Sequence, residues 1–483
     1  MKLSSCRTHA LAAATLLALT AAAPAVAGRV YLDDLKPDGR YSRFIVGYHV
    51  GSAPTQAPQT LRASLDAAAG RAALPDALRQ RLGLKAVRAM QLSGARVVAT
   101  DVALDRAQTE TLMRQIAADQ DVAFVQVDGG VRSLAVPNDP DFKKQWHYAD
   151  SAVGIRAPTA WNTSIGSGVV VAVIDSGILS HTDLNANVIG GYDFISRAAG
   201  GSAQECQALG LNAGCGSPQD GDGRDSNPND DSFATTSQHG THVAGTIAAV
   251  AGNGQGGAGV AYGAKVVPIR ALGRDGYGID SDVLDAVLWA ANVPVAGVGP
   301  NPNPADVINL SLGDNTPCSQ SPAWQAAIDA VLAKGVTVIA AAGNSNIDVA
   351  GSLPASCNGV VSVAASNKSG NKSSYSSWGA SIDVTAPGGE NGFAGPSASD
   401  GIISTVKNNA YGPLAGTSMA SPHVAGIAAL VIAASPVRPT AAQIERTLKK
   451  TARPMTSRQC AKGCGAGIVD AAAAVAAAVQ GNP

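Results

Sequence analysis

Apolar and polar positions change rhythm along this chain, and the change divides it. Between 28 and about 135, short alternating runs predict strands over "RFIVGYHV" (43–50), "ARVVATDVAL" (95–104) and "VAFVQVDGGV" (122–131). "RAQTETLMRQIAAD" (106–119) has helical period, with Leu112, Ile116 and Ala117 on one face, and a second helix is expected around "PDALRQRLG" (75–83). These elements predict a small α+β module. The stretch "SLAVPNDPDFKKQWHY" (133–148) interrupts the pattern with two prolines and a polar cluster, which marks a boundary.

Beyond it, continuous apolar runs alternate with helical segments. Strands are expected at 168–177, 264–272, 305–313, 336–345 and 360–366, and helices at 239–252, 280–292 and 321–335, the last with Pro322 at its start and Gly335 at its end. The Ala-rich 469–480 reads as a terminal helix. Apolar strands alternating with helices predict an α/β fold, a parallel sheet with helices on both faces. Functional groups in such sheets collect at the carboxyl ends of the strands, which directs attention to Asp175, the Ser311–Gly313 turn and Asn344.

Composition narrows the class. The 483 residues carry 35 basic and 36 acidic side chains, a balance that excludes a nucleic-acid binder working by phosphate neutralisation. At the start, Lys2 and Arg7 precede an apolar run that ends at Ala25-Val26-Ala27, the pattern of a secretory signal peptide cut after Ala27. Cys6 lies before that run and is not placed as a lipid anchor. No later stretch has the roughly eighteen uninterrupted apolar residues of a membrane span. Export is therefore expected, with no membrane partner.

Six cysteines follow the signal peptide, and an even number in an exported chain favours disulfides. The count leaves the connectivity open. Short loops favour Cys206–Cys215 and Cys460–Cys464, leaving Cys318 for Cys357. A metal site is disfavoured, because the spacing contains no paired CxxC and no neighbouring histidines.

A hydroxyl nucleophile needs a base, a carboxylate to orient that base, and donors for the developing oxyanion. Asp175 ends a strand in "VIDSG", His239 begins a helix in "QHGTHVAG", Asn344 follows a strand in "AAAGNS", and Ser418 starts a helix in "GTSMASPH". Taken singly, each suits an ordinary turn, packing or cap role. Pro422 is expected in the first helical turn, where a missing N–H is tolerated. Taken together, "VIDSGI", "HGTHVAGTIAA", "AAAGN" and "GTSMASPHVAG" resemble the signatures of the subtilisin-like serine endopeptidases, in that order, over roughly 136 to 470.

The resemblance implies a secreted, monomeric serine endopeptidase that acts on proteins and peptides through an acyl-enzyme. It implies Ser418 as nucleophile, His239 as base, Asp175 as its orienter, and an oxyanion hole from Asn344 and the Ser418 amide. Ser311, Leu312 and Gly313 would form one wall of a peptide groove, Ala342 and Gly343 another, and Gly276 to Gly278 an edge. Residues 28–135 would be a propeptide that inhibits in cis and is cut between Arg132 and Val136, leaving a peptidase domain at 136–483 whose tail is open to trimming.

Calcium is the implied cofactor, bound by positions matching Asp139, Asp183 and the loop carrying Asn253. That loop, 250–259, is unusually rich in Gly, and it follows a helix, so its near match to G-x-G-x-x-G does not indicate a dinucleotide site. The residues themselves offer a second cluster, Asp220, Asp222, Asp225 and Asp230, which reads equally as hard-cation ligands or a solvated turn. Two departures from the pattern bear on specificity: Asp314 in "SLGD", and a long insertion at 196–238. A processing protease of narrow specificity and a catalytically silent binding relative are the competing readings. The second is disfavoured by the four intact chemical positions.

Overall fold

A computed structural model describes residues 27–32, 35, 39–92, 94–129, 137–149, 152–230, 238–390 and 400–481. The signal peptide, except Ala27, and the expected processing segment lie outside the described residues. The chain divides into two compact units, Met1–Arg132 and Ser133–Pro483.

The first unit holds β1 (Arg29–Val30), β2 (Tyr41–Tyr48), β3 (Leu84–Ala89), β4 (Ala95–Leu104) and β5 (Val122–Val127) in the order β1-β5-β2-β4-β3. The helix Arg106–Ala117 starts from a capping box, with Asp105 and Gln108 satisfying each other's backbone N–H. Its buried Leu112, Met113 and Ile116 meet Phe44, Val46 and Val98 of the sheet. The helix expected at 75–83 is only Asp76–Arg79. A longer one, Pro58–Arg71, instead supplies Leu61, Leu65 and Ala68 to the core.

The second unit is built on seven strands: β6 (Val170–Asp175), β7 (Tyr192–Asp193), β8 (Lys265–Arg270), β9 (Val307–Leu310), β10 (Thr337–Ala341), β11 (Val360–Ser366) and β12 (Val384–Pro387). Their order is β12-β11-β10-β9-β6-β8-β7, and every pairing is parallel. Within β6, Val171 and Val173 face one core while Ala172 and Ile174 face the other, the two-residue alternation of a strand covered on both sides. Helices His239–Ala248, Thr417–Ala434 and Ala471–Val479 cover the first face, and Asp280–Ala290 and Pro322–Ala333 the second. A hairpin of β13 (Ile402–Val406) and β14 (Ala410–Leu414) leads into the Thr417 helix.

From β6 the chain goes to the edge strand β7, returns to β8 beside β6, then crosses to β6's other side with β9. That reversal is a topological switch point, and its crevice opens at the carboxyl ends of β6 and β9. Disulfides Cys206–Cys215, Cys318–Cys357 and Cys460–Cys464 are all formed, in the expected pairs.

Thr417–Ala434 is apolar and long enough to cross a membrane by composition, but 78% of that window is buried inside the protein, as befits a core helix. Pro422 is its sixth residue, past the first turn where it was expected. Proline cannot supply the N–H that would bond the carbonyl of Ser418 four residues back. The interruption frees that carbonyl for another donor.

Three histidines are buried around this helix. His423 donates from Nδ1 to Met419 O (2.7 Å), so its Nε2 accepts from His147 Nδ1 (2.7 Å). His242 donates from Nε2 to Ile402 O (2.8 Å) and Gly412 O (3.1 Å). Burial holds His242 down at about 3 and His423 at about 4, and pushes His147 well below its ordinary value. The unfolded chain, with histidines near 6.5, binds protons first, so folding stability should be full above about pH 6.5 and fall as pH drops toward 4. Urea midpoints at stepped pH check this, and His242→Gln should flatten the slope.

Candidate active site

Asp175 closes β6 and is fully buried. His239 opens the helix His239–Ala248, and its side chain is 26% exposed. Imidazole Nδ1 lies 2.8 Å from Asp175 Oδ1 and 3.0 Å from Oδ2. With Nδ1 donating there, Nε2 is left as an acceptor. Burial alone would lower the histidine's pKa, but the charge and hydrogen bond of Asp175, with Asp230's charge behind them, hold it above the ordinary value.

Ser418 is the second residue of its helix, after Gly416 at the N-cap, so it is not itself the cap. Its Oγ donates to Ser311 O (3.1 Å), and its own carbonyl, freed by Pro422, accepts from Ser311 Oγ (2.8 Å). Among the described residues no hydrogen bond joins Ser418 Oγ to His239. Ser311 is itself held by Asn309 Nδ2 (2.9 Å), and Asn309 Oδ1 accepts from Ser421 Oγ (2.7 Å). This buried amide in an apolar strand was the available sequence signal, and it went unread.

Asn344 follows β10. Its Oδ1 accepts from both the backbone N and the Oγ1 of Thr417, each at 2.9 Å, which fixes which end of the amide carries the free N–H groups. A Cβ built on Gly416 would stand 3.4 Å from Asn344 Nδ2 and 3.6 Å from Ser418 N. Two donors therefore flank the same small space, and a glycine keeps it open. Thr417 was not anticipated.

Along the carboxyl edge, neighbouring strands deliver Asn344 (after β10), Ser311 (after β9), Asp175 (β6) and Gly276–Gly278 (after β8). At strand spacing this array spans about 14 Å. Ala342 is buried, whereas Leu312, Gly343, Gly276 and Gly278 are half-buried and Gly313 is exposed. A Cβ at Gly313 would lie 2.1 Å from Leu353 O, so only glycine allows that close approach. Asp314 is exposed and accepts from Thr316 N (2.8 Å). The insertion reaches this edge: Gly216 N donates to Arg274 O (2.8 Å) and Arg274 N to Ser217 O (2.9 Å). Its residues 231–237 lie outside the described residues.

A hydroxyl at a helix start, an imidazole backed by a buried carboxylate and two N–H donors beside Gly416 line one edge of the sheet, a set of groups that suits a serine hydrolase. The chain belongs to the subtilase family, whose model matches residues 166–467. It is 46% identical to an extracellular protease of Xanthomonas campestris pv. campestris, over 98% of this chain and 79% of that protein. It is 39% identical to an extracellular basic protease of Dichelobacter nodosus, over 91% of this chain and 71% of the relative. A solved structure of a protease from Pseudoalteromonas arctica, 46% identical, superimposes with a TM-score of 0.63 over 71% of this chain and all of its own.

Subtilases commonly carry structural calcium. Among the described residues no three His, Cys, Asp or Glu side chains converge to hold a metal. The buried Asp139 carboxylate takes the backbone N–H groups of Gly252 (2.7 Å), Asn253 (3.0 Å) and Gly254 (3.0 Å). Asp183 takes Asn253 Nδ2 (2.6 Å) and Tyr411 Oη (3.0 Å). Donors converge where a cation would need oxygens, so this locus does not fit calcium.

The second cluster separates. Asp220 pairs with the wholly buried Arg270 (3.1 Å), which also reaches Asp193 (3.1 Å). Asp222 is raised by desolvation and then by the charges of Asp220 and Asp225. Asp230 instead accepts from Ser176 Oγ (2.7 Å).

Asp139→Ala should leave the N–H groups of Gly252 and Asn253 without a protein acceptor, while Gly254 N keeps Asn138 Oδ1 (3.0 Å). Because these loop residues are exposed, water replaces the lost acceptor and the cost should be about 1 kcal/mol per bond. Thermal scans should show Tm falling equally in calcium and in chelator.

Proposed function

We propose that Asp175, His239 and Ser418 carry peptide hydrolysis as a triad. Ser418 Oγ turns from the Ser311 carbonyl to His239 Nε2, gives up its proton there and bonds to the scissile carbonyl carbon. The oxyanion receives the Ser418 N–H and an Asn344 Nδ2–H. The Ser418 amide is among the first four N–H groups of its helix, which lack intrahelical acceptors, and the helix dipole favours negative charge there. His239 then protonates the departing amine, leaving an acyl-Ser418 ester. Water then gives a proton to His239 Nε2 as its oxygen bonds to the acyl carbon. The bond to Ser418 Oγ breaks, and His239 returns the proton to Ser418 Oγ, releasing the carboxylic acid. Asp175 holds the tautomer and offsets the imidazolium charge throughout. The observation that carries this reading is the double contact of His239 Nδ1 with Asp175, at 2.8 and 3.0 Å.

Substrate backbone would pair in extended form between Ser311–Gly313 and Gly276–Gly278, with Ala342 and Gly343 behind the reacting carbonyl. The insertion, stitched to the 274–278 edge, and the exposed Asp314 would shape side-chain preference. The extracellular relatives and the leader at 1–27 support secretion, with the protein acting alone on protein substrates. Residues 28 to about 135 suit a propeptide: a unit of its own with a separate core. Calcium, where it binds, would need ligands other than the carboxylates of Asp220, Asp222, Asp225 and Asp230, since Asp220 is taken by Arg270 and Asp230 by Ser176, and no three acidic side chains converge among the described residues.

Ser418→Ala expressed with its prosegment should remain one covalent chain by mass spectrometry and leave casein intact. Efficient maturation of the pure variant would assign processing to another enzyme and remove the self-cleavage reading. Asn344→Ala should lose about 10²–10³ in kcat with KM little changed, the cost of such a donor in subtilisin, measured by steady-state kinetics on a peptide substrate.

A further inference from the structure

The helix that begins with His239 has no side-chain cap of its own: Gln238 stands at its N-cap and makes no capping bond. An unsatisfied helix start is costly when buried, and Gly240, the second helical residue, is fully buried. Its N–H is satisfied from outside the helix, by Ser176 Oγ at 3.1 Å. Ser176, 1% exposed, follows Asp175 directly and donates its hydroxyl hydrogen bond to Asp230 Oδ2 at 2.7 Å. One hydroxyl thus joins the carboxylate strand to the imidazole helix, and its orientation is set by a second buried carboxylate.

The surroundings fix this relay. Ile178 N donates to Pro228 O, and Asp230 N donates to Ile178 O, both at 2.9 Å, so the segment carrying Asp230 is pinned to the end of β6. Gly177 has φ +101°, and a Cβ there would lie 2.5 Å from Pro228 O. A Cβ on Gly240 would lie 2.2 Å from Gly177 O. Three segments meet at contacts that tolerate no side chain.

We propose that Asp230 is a positioning residue for catalysis: through Ser176 Oγ it anchors the start of the His239 helix and keeps a second negative charge behind the imidazole. The inference rests on the reading of His239 as the base. Among the described residues two carboxylates bring charge to His239, Asp175 from β6 and Asp230 from the 228–230 segment. His242, one turn along the same helix, and His423 of the Ser418 helix are both held neutral by burial. Losing Asp230's charge removes support for the imidazolium, so the histidine should deprotonate at lower pH.

The test uses the full chain with its prosegment, matured where necessary by added wild-type enzyme that is then removed, and a chromogenic peptide. Asp230→Asn keeps the acceptor and the size but not the charge. It should lower kcat by about tenfold with KM nearly unchanged and move the acidic limb of the kcat/KM profile to lower pH. Ser176→Ala should lower kcat similarly, Ser176→Thr should restore it, and the Asp230→Asn/Ser176→Ala pair should lose less than the product of the two. Unmoved kcat and acidic limb in folded Asp230→Asn, beside an inactive His239→Ala, would overturn the proposal alone. An active His239→Ala would overturn the triad reading beneath it. If Asp230→Asn does not fold, the Ser176→Ala and Ser176→Thr comparison decides: equal kcat in both overturns the relay.

Discussion

The bond between Asp175 and His239 joins the end of a strand to the beginning of a helix, and much of the peptidase unit is arranged to make that junction possible. Among the described residues no Lys or Arg pairs with the buried carboxylate, so it depends on N–H donors: the imidazole and the Ser176 amide, at 2.7 Å from Oδ1. Such a group can be buried at the centre of a sheet only where chain topology opens a crevice. The reversal between β6 and β9 supplies that opening, and Ser311 is delivered to its other side. The same constraint explains the glycines at 177 and 240, which let strand end and helix start approach within backbone contact.

The oxyanion side follows a different logic. No charge is used there; orientation is everything. Thr417 occupies both functions of the Asn344 carbonyl, so the amide's N–H end has one direction left. Gly416 stands at the N-cap and Thr417 opens the helix, so the Ser418 amide falls among the unpaired donors of the first turn. Pro422 contributes by what it lacks. Without its N–H, the Ser418 carbonyl is available to Ser311, and the nucleophile's backbone is tied to β9 and not only to its own helix.

Much of this was legible in the sequence because it was local. Strand β11 and the disulfide partners appear where pattern and loop length put them, and the four chemical motifs fall at strand ends and helix starts. What was missed depended on contacts between distant segments. Pro58–Arg71 shows only Leu61, Leu65 and Ala68 as core positions among alanines, a weak period. Ala441–Thr451 was overlooked although Thr440 and Gln443 form a capping box at its start. Asp230 looked like a fourth member of the acidic cluster because it is near Asp225 in sequence, yet pairing with Ile178 turns it toward Ser176. The 250–259 loop kept Asn253, but its glycine-rich backbone points N–H groups at Asp139. Side-chain identity matched an oxygen-ligand site; backbone direction did not.

The helix that carries Ser418 is enclosed by the protein over most of its length. From Met419 to Val431 every side chain is buried, packed against the sheet and the helices beside it. A nucleophile mounted on an exposed loop could be disordered while the rest of the molecule stayed folded. Here the reacting serine shares its backbone with a buried core helix, so setting Ser418 adrift requires that core to loosen. Heat inactivation of this enzyme is then a readout of core melting itself.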